Sequence, residues 1–387
     1  MANETIVLGL GGAGLKMTAA LSRLPGAERL KLGGADTDSK ALERSGLENT
    51  FPVGVEWTQG VGCGGDPDRG ARAFAHKSKQ DIEKFIANAK LLLVLGGLGG
   101  GAATGGASLI GRMARRINVP VIFILTTPFA FEGQARRKVA EEGVKHLLPD
   151  ADVVIPVPND ILFVSLEADT PAVDAFAKAD ESIAHAALGL AAAIDETNLL
   201  SADFADFKNL LGGKKSLCGI GLGIADDDTS DRCVAAVENL LRSPLLGGKK
   251  AIETADAMII TIVGGQNLEI GEMKKALETL RHSSKEFARI VTGAGITQAS
   301  GDKVTITLLA IEYDEKKTRA PTTTFEPTTH SKKRTSTAKG EFHQPDLLPE
   351  HEISKGYFEK TNLNIVNGED LDIPTFQRVG ISLYRGK

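Results

Sequence analysis

Short apolar segments alternate with longer amphipathic segments along the first 170 residues of the chain. The apolar runs have the length of buried strands and read IVLGL, LLLVL, VPVIFIL and DVVIPVP. Between them, the periodicity of amphipathic helices is carried by LKMTAALSRL, SLIGRMARRI and QARRKVAEEGVKHLL. This alternation predicts an α/β domain with a mostly parallel, Rossmann-like sheet and helices on both faces. The loops at the carboxyl ends of the strands are then expected to line one ligand crevice.

The longest helical pattern covers residues 171–198, where Pro171 suits the first turn and alanine is frequent. Such a helix would span roughly 40 Å and cross the molecule. After it, four strand patterns (SLCGIGLGIAD, AMIITIVGG, ARIVTGAGI and KVTITLLAIEY) and two amphipathic helices predict a smaller α+β domain that ends near Asp314.

Composition changes after that point. Residues 315–355 are rich in Thr, Lys, Pro and Ser, which predicts a disordered linker. The last thirty residues regain apolar character and are typical of a docking peptide behind a flexible linker. The sequence therefore predicts five segments. They are an α/β domain (residues 1–170), a central helix with the start of the following loop (171–202), an α+β domain (203–314), a disordered linker (315–355) and a C-terminal docking peptide (356–387).

The most informative segment is Leu91–Gly106, in which an apolar run leads into a loop with seven glycines in eleven residues. Glycine lets another molecule approach the main chain closely, and a loop between a strand and a helix presents several unpaired N–H groups to one point. This geometry suits a phosphate group. A plain glycine-rich turn is the alternative, but so many glycines exceed what a turn needs.

A second glycine loop, GLGGAG, begins at Gly9 and fits the G-x-G-x-x-G fingerprint of dinucleotide-binding proteins, with Asp36 near the position of a ribose-binding acid. An NAD-linked oxidoreductase is therefore one hypothesis. Neither loop contains the G-K-[ST] of a Walker motif. Two glycine loops without that lysine favour a phosphate tail held by backbone N–H groups and a metal ion.

Composition narrows the function classes. Of 387 residues, 42% are hydrophobic and 25% charged, and the net charge of −5 argues against a nucleic-acid partner. No apolar run reaches the ~18–20 residues that cross a bilayer, and no signal peptide is evident. The three cysteines have no metal-ligand spacing. We therefore expect a reduced, cytoplasmic protein with no metal site built from its own side chains and no direct membrane insertion.

Nine segments occur in the order that they have in the FtsZ family, the bacterial relatives of tubulin, and the chain resembles that family over nearly its whole length. They are GLGGAG, ADTDSKAL, TQGVGCGGDPDRG, GGLGGGAAT, TPFAFEGQARR, VPND with DAFAKAD, SADFADFKNLL, RSPLLGG with IVGGQNL, and DLDIPTFQR. The resemblance implies a GTP-binding domain over residues 1–170, with GTP or GDP and Mg²⁺ as ligands.

The resemblance also implies the residues of the nucleotide site. The phosphate-binding and adjoining positions are Gly11, Gly12, Ala13, Lys16, Gly62, Gly99, Gly100, Gly101, Ala102, Ala103, Thr104 and Gly105. Glu132 and Arg136 correspond to the ribose side, and Asn159, Phe176 and Asp180 to the guanine pocket. Asp180 could accept hydrogen bonds from the guanine N1–H and 2-amino group, a pairing that adenine cannot reproduce. Phe176, one helical turn earlier, could stack on the base.

Asp203 and Asp206 are the candidate catalytic residues. They follow the long helix, so one chain is not expected to bring them to its own nucleotide. The alternative is that both are ordinary solvent-exposed residues of a loop, without a catalytic role. The resemblance implies that they enter the nucleotide site of the next copy and orient the attacking water, which makes the contact head-to-tail and the assembly a filament.

Four departures from the family pattern affect the prediction. Ala102-Ala103-Thr104 replaces Thr-Gly-Thr, Leu15-Lys16 replaces Gly-Asn, Asp36 stands where Asn is usual, and Ser201 replaces Asn. Lys16 could add a charge near the phosphates. We predict retained GTP binding and filament assembly with a slow GTPase. A nucleotide-binding filament with little or no hydrolysis is the alternative.

The family resemblance implies a cellular setting as well. The filaments would form the bacterial division ring at the inner face of the membrane. The peptide Asp370–Arg378 would dock into a membrane-anchoring division adaptor through Ile373, Pro374 and Phe376.

Overall fold

The structure, a computed structural model, describes residues 4–75, 79–164, 166, 169–195, 198–201, 203–211, 216–226, 231–297, 300–313, 365–366 and 369–370. The chain divides into two compact units, residues 1–322 and residues 323–387. In the second unit, two short strands pair antiparallel, with Ile365 opposite Asp370. The predicted linker and the docking peptide beyond Asp370 lie outside the described residues.

The first half of the larger unit is an alternating α/β domain. Its elements are β1 (Glu4–Leu10), α1 (Gly11–Leu21), β2 (Lys31–Asp36), α2 (Ser39–Ser45), β3 (Asn49–Pro52), α3 (Val55–Thr58), α4 (Pro67–Ala75), α5 (Lys79–Ile86), β4 (Ala89–Gly97), α6 (Ala102–Arg116), β5 (Val121–Thr127), α7 (Gln134–Leu147), β6 (Val153–Pro158) and α8 (Asn159–Leu162). The six strands are parallel in the order β3-β2-β1-β4-β5-β6.

The second half carries a smaller domain with a mixed sheet. It comprises α9 (Ala172–Ala192), α10 (Phe204–Leu211), β7 (Ser216–Ala225), α11 (Arg232–Arg242), α12 (Lys250–Thr254), β8 (Ala257–Gly264), α13 (Ile270–His282), β9 (Arg289–Ile296) and β10 (Val304–Ile311). In the order β7-β10-β8-β9, β10 is antiparallel to both neighbours, whereas β8 and β9 are parallel. The remaining short strands are β11 (Ile365–Val366) and β12 (Glu369–Asp370). The predicted fold class is confirmed for the described domains.

Both faces of the parallel sheet are buried, which explains why its strands read as continuous apolar runs. Along β4, Leu91, Leu93 and Leu95 pack into the cluster that contains α1 and α9, whereas Leu92 and Val94 pack into the cluster that contains α4, α5 and α6. The sheet is therefore a rigid central layer, and its carboxyl edge is free to carry loops.

The long helix is shorter than the sequence predicts. α9 ends at Ala192 rather than near residue 198, so it is about 31 Å long instead of roughly 40 Å. The side-chain amide of Asn198 donates to the carbonyl of Ala192 at 2.7 Å and satisfies one of the terminal acceptors. Asp195 accepts from Arg29 at 3.1 Å, which fixes the turn that follows.

Within the part of the chain that the structure describes, every helix is too short or too polar to span a bilayer.

Close packing of α9 on the mixed sheet gives a stability prediction. A Cβ at Gly189 would lie 1.9 Å from the hydroxyl oxygen of Thr307 and 2.5 Å from its Cβ. The overpacking cost of about 1–3 kcal/mol outweighs the helix propensity of less than about 1 kcal/mol that alanine gains over glycine. We expect Gly189→Ala to lower the urea midpoint. The control Gly271→Ala, at an open position of α13, should leave the midpoint unchanged or raise it. Equal stability of the Gly189 variant and the unmodified chain would mean that α9 does not contact β10 so closely.

Candidate functional site

A cavity of about 360 Å³ opens at the carboxyl edge of the parallel sheet. Each of β1, β2, β4, β5 and β6 contributes a residue at or just beyond its last position, as expected for this class of sheet. Its wall is formed by Leu10, Gly11, Gly12, Ala13, Asp36, Thr37, Gly62, Cys63, Gly64, Gly65, Gly97, Leu98, Gly100, Gly101, Ala102, Ala103, Thr126, Pro128, Glu132, Arg136 and Asn159.

The first turns of two helices meet in this wall. α1 begins at Gly11 and α6 at Ala102, and the first residues of both helices line the cavity. Within these described helices, neither has a side-chain cap at its N-terminus, and neither has an acidic residue in its first turn. Two helix N-termini with free N–H groups place partial positive charge on one cavity. The cavity therefore suits an anion with several oxygens.

At two glycines, the backbone is open to a ligand in the cavity. A Cβ at Gly12 or at Gly100 would have no described atom within 4 Å, so a ligand can contact the backbone at both positions. At Gly101 the situation is the reverse, because a Cβ would lie 2.3 Å from the sulfur of Cys63. The first two positions thus expose the backbone, and the third lets two loops pack tightly.

The glycine loop between β4 and α6 is shorter than the sequence suggests. β4 continues through Gly97 and α6 starts at Ala102, so the loop between them is only four residues long and Gly105 and Gly106 are helical. A Cβ at Gly105 would lie 2.1 Å from the carbonyl oxygen of Pro67, so this glycine permits contact between α6 and α4. Gly105 therefore supports the loop from behind.

Thr104 is also directed toward the loop. Its hydroxyl oxygen accepts from the N–H of Gly99 at 3.0 Å, and the described cavity wall includes neither residue. Ala102 and Ala103 line the cavity without a hydroxyl. Thr104 thus braces the loop that presents Gly100 and Gly101.

Asp36 is a buried carboxyl in the cavity wall, with 5% of its surface exposed. Its Oδ1 accepts from the N–H of Thr37 at 2.6 Å and from the N–H of Asp38 at 3.3 Å. Burial raises the pKa of this carboxyl, and the two backbone hydrogen bonds oppose the rise. Asp36 therefore holds the turn after β2 in place.

Glu132 and Arg136 lie together at the rim. The guanidinium of Arg136 pairs with one carboxylate oxygen of Glu132, and the other oxygen accepts from the N–H of Phe129 at 2.9 Å. Asn159 lines the cavity as the first residue of α8. Its neighbour Asp160 accepts from the N–H of Ala130 at 3.1–3.2 Å and ties the loops after β5 and β6 together.

A group of rings, the phenylalanine cluster, lies beside this rim and contains Phe129, Phe131, Phe163 and Phe176. Phe176 contacts Phe163 and Phe129 edge-on, with ring centroids 5.3 and 5.8 Å apart. It is 47% exposed, so its ring is held at the edges and remains accessible. The described cavity wall does not include Phe176, which lies one ring beyond Phe129.

Asp180 and Lys16 are not among the residues that line the described cavity. Asp180 is half-buried on α9, one turn after Phe176, and burial raises its pKa to about 6. The positive charge of Lys16 on α1 lowers that pKa, whereas Glu181 raises it. The charge of Lys16 thus acts on Asp180.

Asp203 and Asp206 lie on a different edge of the molecule. Asp206 is an exposed residue of α10, a helix where the sequence suggested a loop, and Asp203 precedes it and accepts from the N–H of Ala205 at 2.7 Å. In the same helix, Lys208 contacts the side-chain oxygen of Asn118 at 3.2 Å. Asn118 follows the C-terminus of α6, whose other end lines the cavity about 22 Å away. One copy therefore does not bring these carboxylates to its own cavity.

The structure brings eleven of the seventeen predicted binding residues into one wall: Gly11, Gly12, Ala13, Gly62, Gly100, Gly101, Ala102, Ala103, Glu132, Arg136 and Asn159. Sequence reasoning did not single out Thr126 and Pro128, which follow from the strand-end rule once β5 is placed. Cys63, Gly64 and Gly65 lie in a segment that the resemblance had marked, but were not singled out individually.

Two family models match the chain. Residues 4–167 match the Tubulin/FtsZ family GTPase domain, and residues 217–314 match the FtsZ family C-terminal domain. Among solved structures, the empty FtsZ dimer of M. jannaschii superposes with a TM-score of 0.73 and 29% identity, covering 80% of this chain and 88% of that chain.

Two CetZ structures share the fold. CetZ2 from Haloferax volcanii, solved as a GTPγS-bound protofilament, has a TM-score of 0.64 at 21% identity and covers 81% of this chain and 94% of that chain. CetZ from Methanosaeta thermophila has a TM-score of 0.65 at 21% identity, with 81% and 88% covered. Together the two family models span both domains of the larger unit in the order that the sequence motifs predict, and the chain belongs to the tubulin/FtsZ family of GTPases.

Proposed function

We propose that the chain binds GTP in the cavity and hydrolyses it when a second copy closes that cavity in a head-to-tail filament. The observation that carries the proposal is the meeting of two uncapped helix N-termini in one cavity. Two loops converge there, which suits a triphosphate with its many oxygens, whereas the dinucleotide hypothesis accounts only for the first loop.

The phosphates are assigned to the main chain of the two loops. N–H groups from Gly11 to Ala13 and those of Gly100 and Gly101 would hold the phosphate oxygens, because Arg136 is the one cationic side chain among the described residues of this wall. Mg²⁺, when bound with the nucleotide, would neutralise part of the phosphate charge. The guanidinium of Arg136, at the rim of the cavity, would contact the phosphate or ribose oxygens.

The base is assigned to the rim near the phenylalanine cluster. Phe176 offers an accessible ring for stacking, and Asp180 lies one turn further along α9. An ionised carboxylate would accept from the two N–H donors of guanine, whereas adenine offers an acceptor at N1. Asn159, at the cavity wall beneath this rim, would contribute a further polar contact to the base.

Hydrolysis is assigned to the contact between copies. Since Asp203 and Asp206 are remote from their own cavity, a neighbouring copy would supply them, and their carboxylates would orient the attacking water. Such a contact joins two different surfaces and generates an open filament. The M. jannaschii FtsZ dimer and the CetZ2 protofilament, which share the fold, support self-association.

The proposal predicts that phosphate release depends on assembly. With GTP and Mg²⁺, specific activity should be near zero below a threshold protein concentration and should rise above it, because each complete site needs two copies. Phosphate release and light scattering measured over the same dilution series check this result. A specific activity independent of concentration would contradict the shared site.

A filament that binds GTP with little hydrolysis is the second candidate. Ala102 and Ala103 place methyl groups in the cavity, and the hydroxyl of Thr104 is engaged with Gly99. Since Thr104 is not among the described residues that line the cavity, this turn contributes no hydroxyl to the described wall. Filaments that form with GTP while releasing no phosphate would favour this candidate, and Ala102→Thr would be expected to raise the rate.

For the cellular role, we propose assembly of the bacterial division ring in the cytoplasm, at the inner face of the membrane. The peptide Asp370–Arg378 would bind a membrane-anchoring adaptor, and the linker of residues 315–355 would supply reach. A chain truncated after Asp314 should polymerise but should not be recruited to adaptor-coated vesicles. Recruitment of the truncated chain would contradict the role of the peptide.

A further inference from the structure

The helix α10, which carries Asp206, contacts the rest of its own copy through one polar and aromatic face. Phe204 and Lys208 lie one turn apart on this helix, so their side chains share a face. Asp206 lies two residues from each of them, about 160° around the helix, and is exposed. The contacts of Phe204 and Lys208 therefore decide in which direction the carboxylate of Asp206 points.

Lys90 makes the contact with Phe204. Its ammonium nitrogen lies 5.1 Å from the centre of the Phe204 ring and donates to the carbonyl oxygen of Ile194, in the turn after α9, at 3.2 Å. The side chain of Lys90 is half-buried, and partial removal from water strengthens the attraction between a cation and a ring. Because Lys90 is the second residue of β4, it joins the start of that strand to the start of α10.

Lys208 makes the second contact, with the residue Asn118 just beyond α6. Its ammonium nitrogen lies 3.2 Å from the side-chain oxygen of Asn118 and 3.4 Å from its carbonyl oxygen. Asn118 has a φ of +59°, the left-handed conformation in which many helices end and which asparagine tolerates. The carboxyl end of a helix also favours a cation. Lys208 therefore joins α10 to the end of α6.

β4 and α6 are the two elements that the glycine loop connects. From Lys90 to Gly97, β4 extends about 23 Å, and α6 is about 22 Å long. Both elements pack in the same buried cluster, which makes them a rigid pair. The pair carries the glycine loop of the cavity at one end and holds α10 at the other.

We propose that Lys90 and Lys208 are positioning residues for hydrolysis, which fix α10 so that Asp206 has the correct direction in the site of the next copy. The inference rests on the proposed function, in which the next copy receives this carboxylate. Neither lysine is among the described residues that line the nucleotide cavity, and both ammonium groups are engaged within their own copy. They would act through α10, without contact to the nucleotide.

The experiment measures phosphate release at saturating GTP, above the threshold concentration for assembly. Lys90→Met and Lys208→Met keep most of the apolar stem and remove the ammonium group. Since a misplacement of about 1 Å can cost about a hundredfold in rate, we expect each variant to lose about tenfold in maximal rate. GTP affinity and the melting temperature should remain unchanged, because the cavity is remote and partly exposed polar contacts contribute little to stability.

Matched variants separate positioning from a general effect of the substitution. Lys274→Met, which removes an ammonium group from an exposed ion pair of α13, should keep the normal rate. Lys208→Arg retains the charge and the donors and should restore most of the rate. Asn118→Gly keeps the left-handed backbone and removes only the side-chain oxygen, so it should lower the rate without lowering the melting temperature. Combined with Lys208→Met, it should cause no further loss, because the contact is already absent.

An unchanged maximal rate in both methionine variants would overturn the inference, as would a loss that Lys208→Arg does not restore. A fall in GTP affinity that parallels the fall in rate would also overturn it, because the lysines would then support their own cavity. If Lys208→Met is unstable, the rate of Asn118→Gly decides in its place. The absence of assembly-dependent phosphate release in the unmodified chain would instead overturn the proposed function, and this inference with it.

Discussion

Gly12→Glu is expected to abolish nucleotide binding while the protein remains folded. Gly12 is the second residue of α1, its φ is not in the left-handed region, and a Cβ there has no described neighbour within 4 Å. A carboxylate in the first turn of a helix stabilises it by about 0.3–1 kcal/mol. The same carboxylate would occupy the anion site and repel phosphate, so we expect GTP affinity to fall by about a hundredfold or more.

The chain offers a matched control for this substitution. Gly271 is the second residue of α13, is equally open, and lies in the other domain, far along the chain from the glycine loops. Gly271→Glu should therefore leave GTP affinity unchanged. Fluorescent-nucleotide titration measures affinity, and thermal melting without nucleotide tests folding. If Gly12→Glu is stable and still binds GTP with the affinity of the control, the phosphates do not lie between α1 and α6.

Asp206→Ala is expected to lower phosphate release by about a hundredfold or more, the scale on which removal of a group that activates water acts. GTP binding should be retained, because α10 lies at the opposite end of α6 from the cavity. Asp203→Ala should have a similar effect on the rate. Asp203 also accepts from the N–H of Ala205, so its loss should in addition destabilise the start of α10 by about 1 kcal/mol.

Mixing the two inactive proteins provides the sharpest test of a shared site. Asp206→Ala copies keep an intact cavity, and Gly12→Glu copies keep both carboxylates. A head-to-tail contact between them would rebuild one complete site, so the mixture should release phosphate although neither protein does alone. Asp206→Ala mixed with Asp203→Ala gives no such pairing, since every contact then lacks one carboxylate. An inactive first mixture that still forms mixed filaments would rule out complementation between copies.

The fold was predictable where burial left a simple pattern. β1, β4, β5 and β6 are buried on both faces and appear as uninterrupted apolar runs. β2 and β3 were not predicted, because KLGGAD and NTFP contain glycine, proline and polar residues whose strand conformation depends on pairing with β1. α10 was interpreted as a loop, because the segment SADFADFKNLL was matched to a loop of the family and its eight-residue helix is short.

The site was predictable to the extent that it follows the ends of strands and the family motifs. The roles of individual side chains were not. The influence of the Lys16 charge on Asp180, for example, depends on how α1 packs against α9, which the sequence does not show. The hydrogen bond from Gly99 to Thr104 likewise depends on where α6 begins. The ends of a helix are harder to predict from a sequence than the helix itself.

The distance between the cavity and α10 also has a consequence for the ends of an assembly. If every complete site lies between two copies, a filament of n copies contains n − 1 of them, and the copy whose cavity faces solvent keeps its GTP. A dimer would then show half the activity per copy of a long filament. The exposed cavity at one end would form a stable nucleotide cap, so the two ends of the filament would differ chemically as well as geometrically.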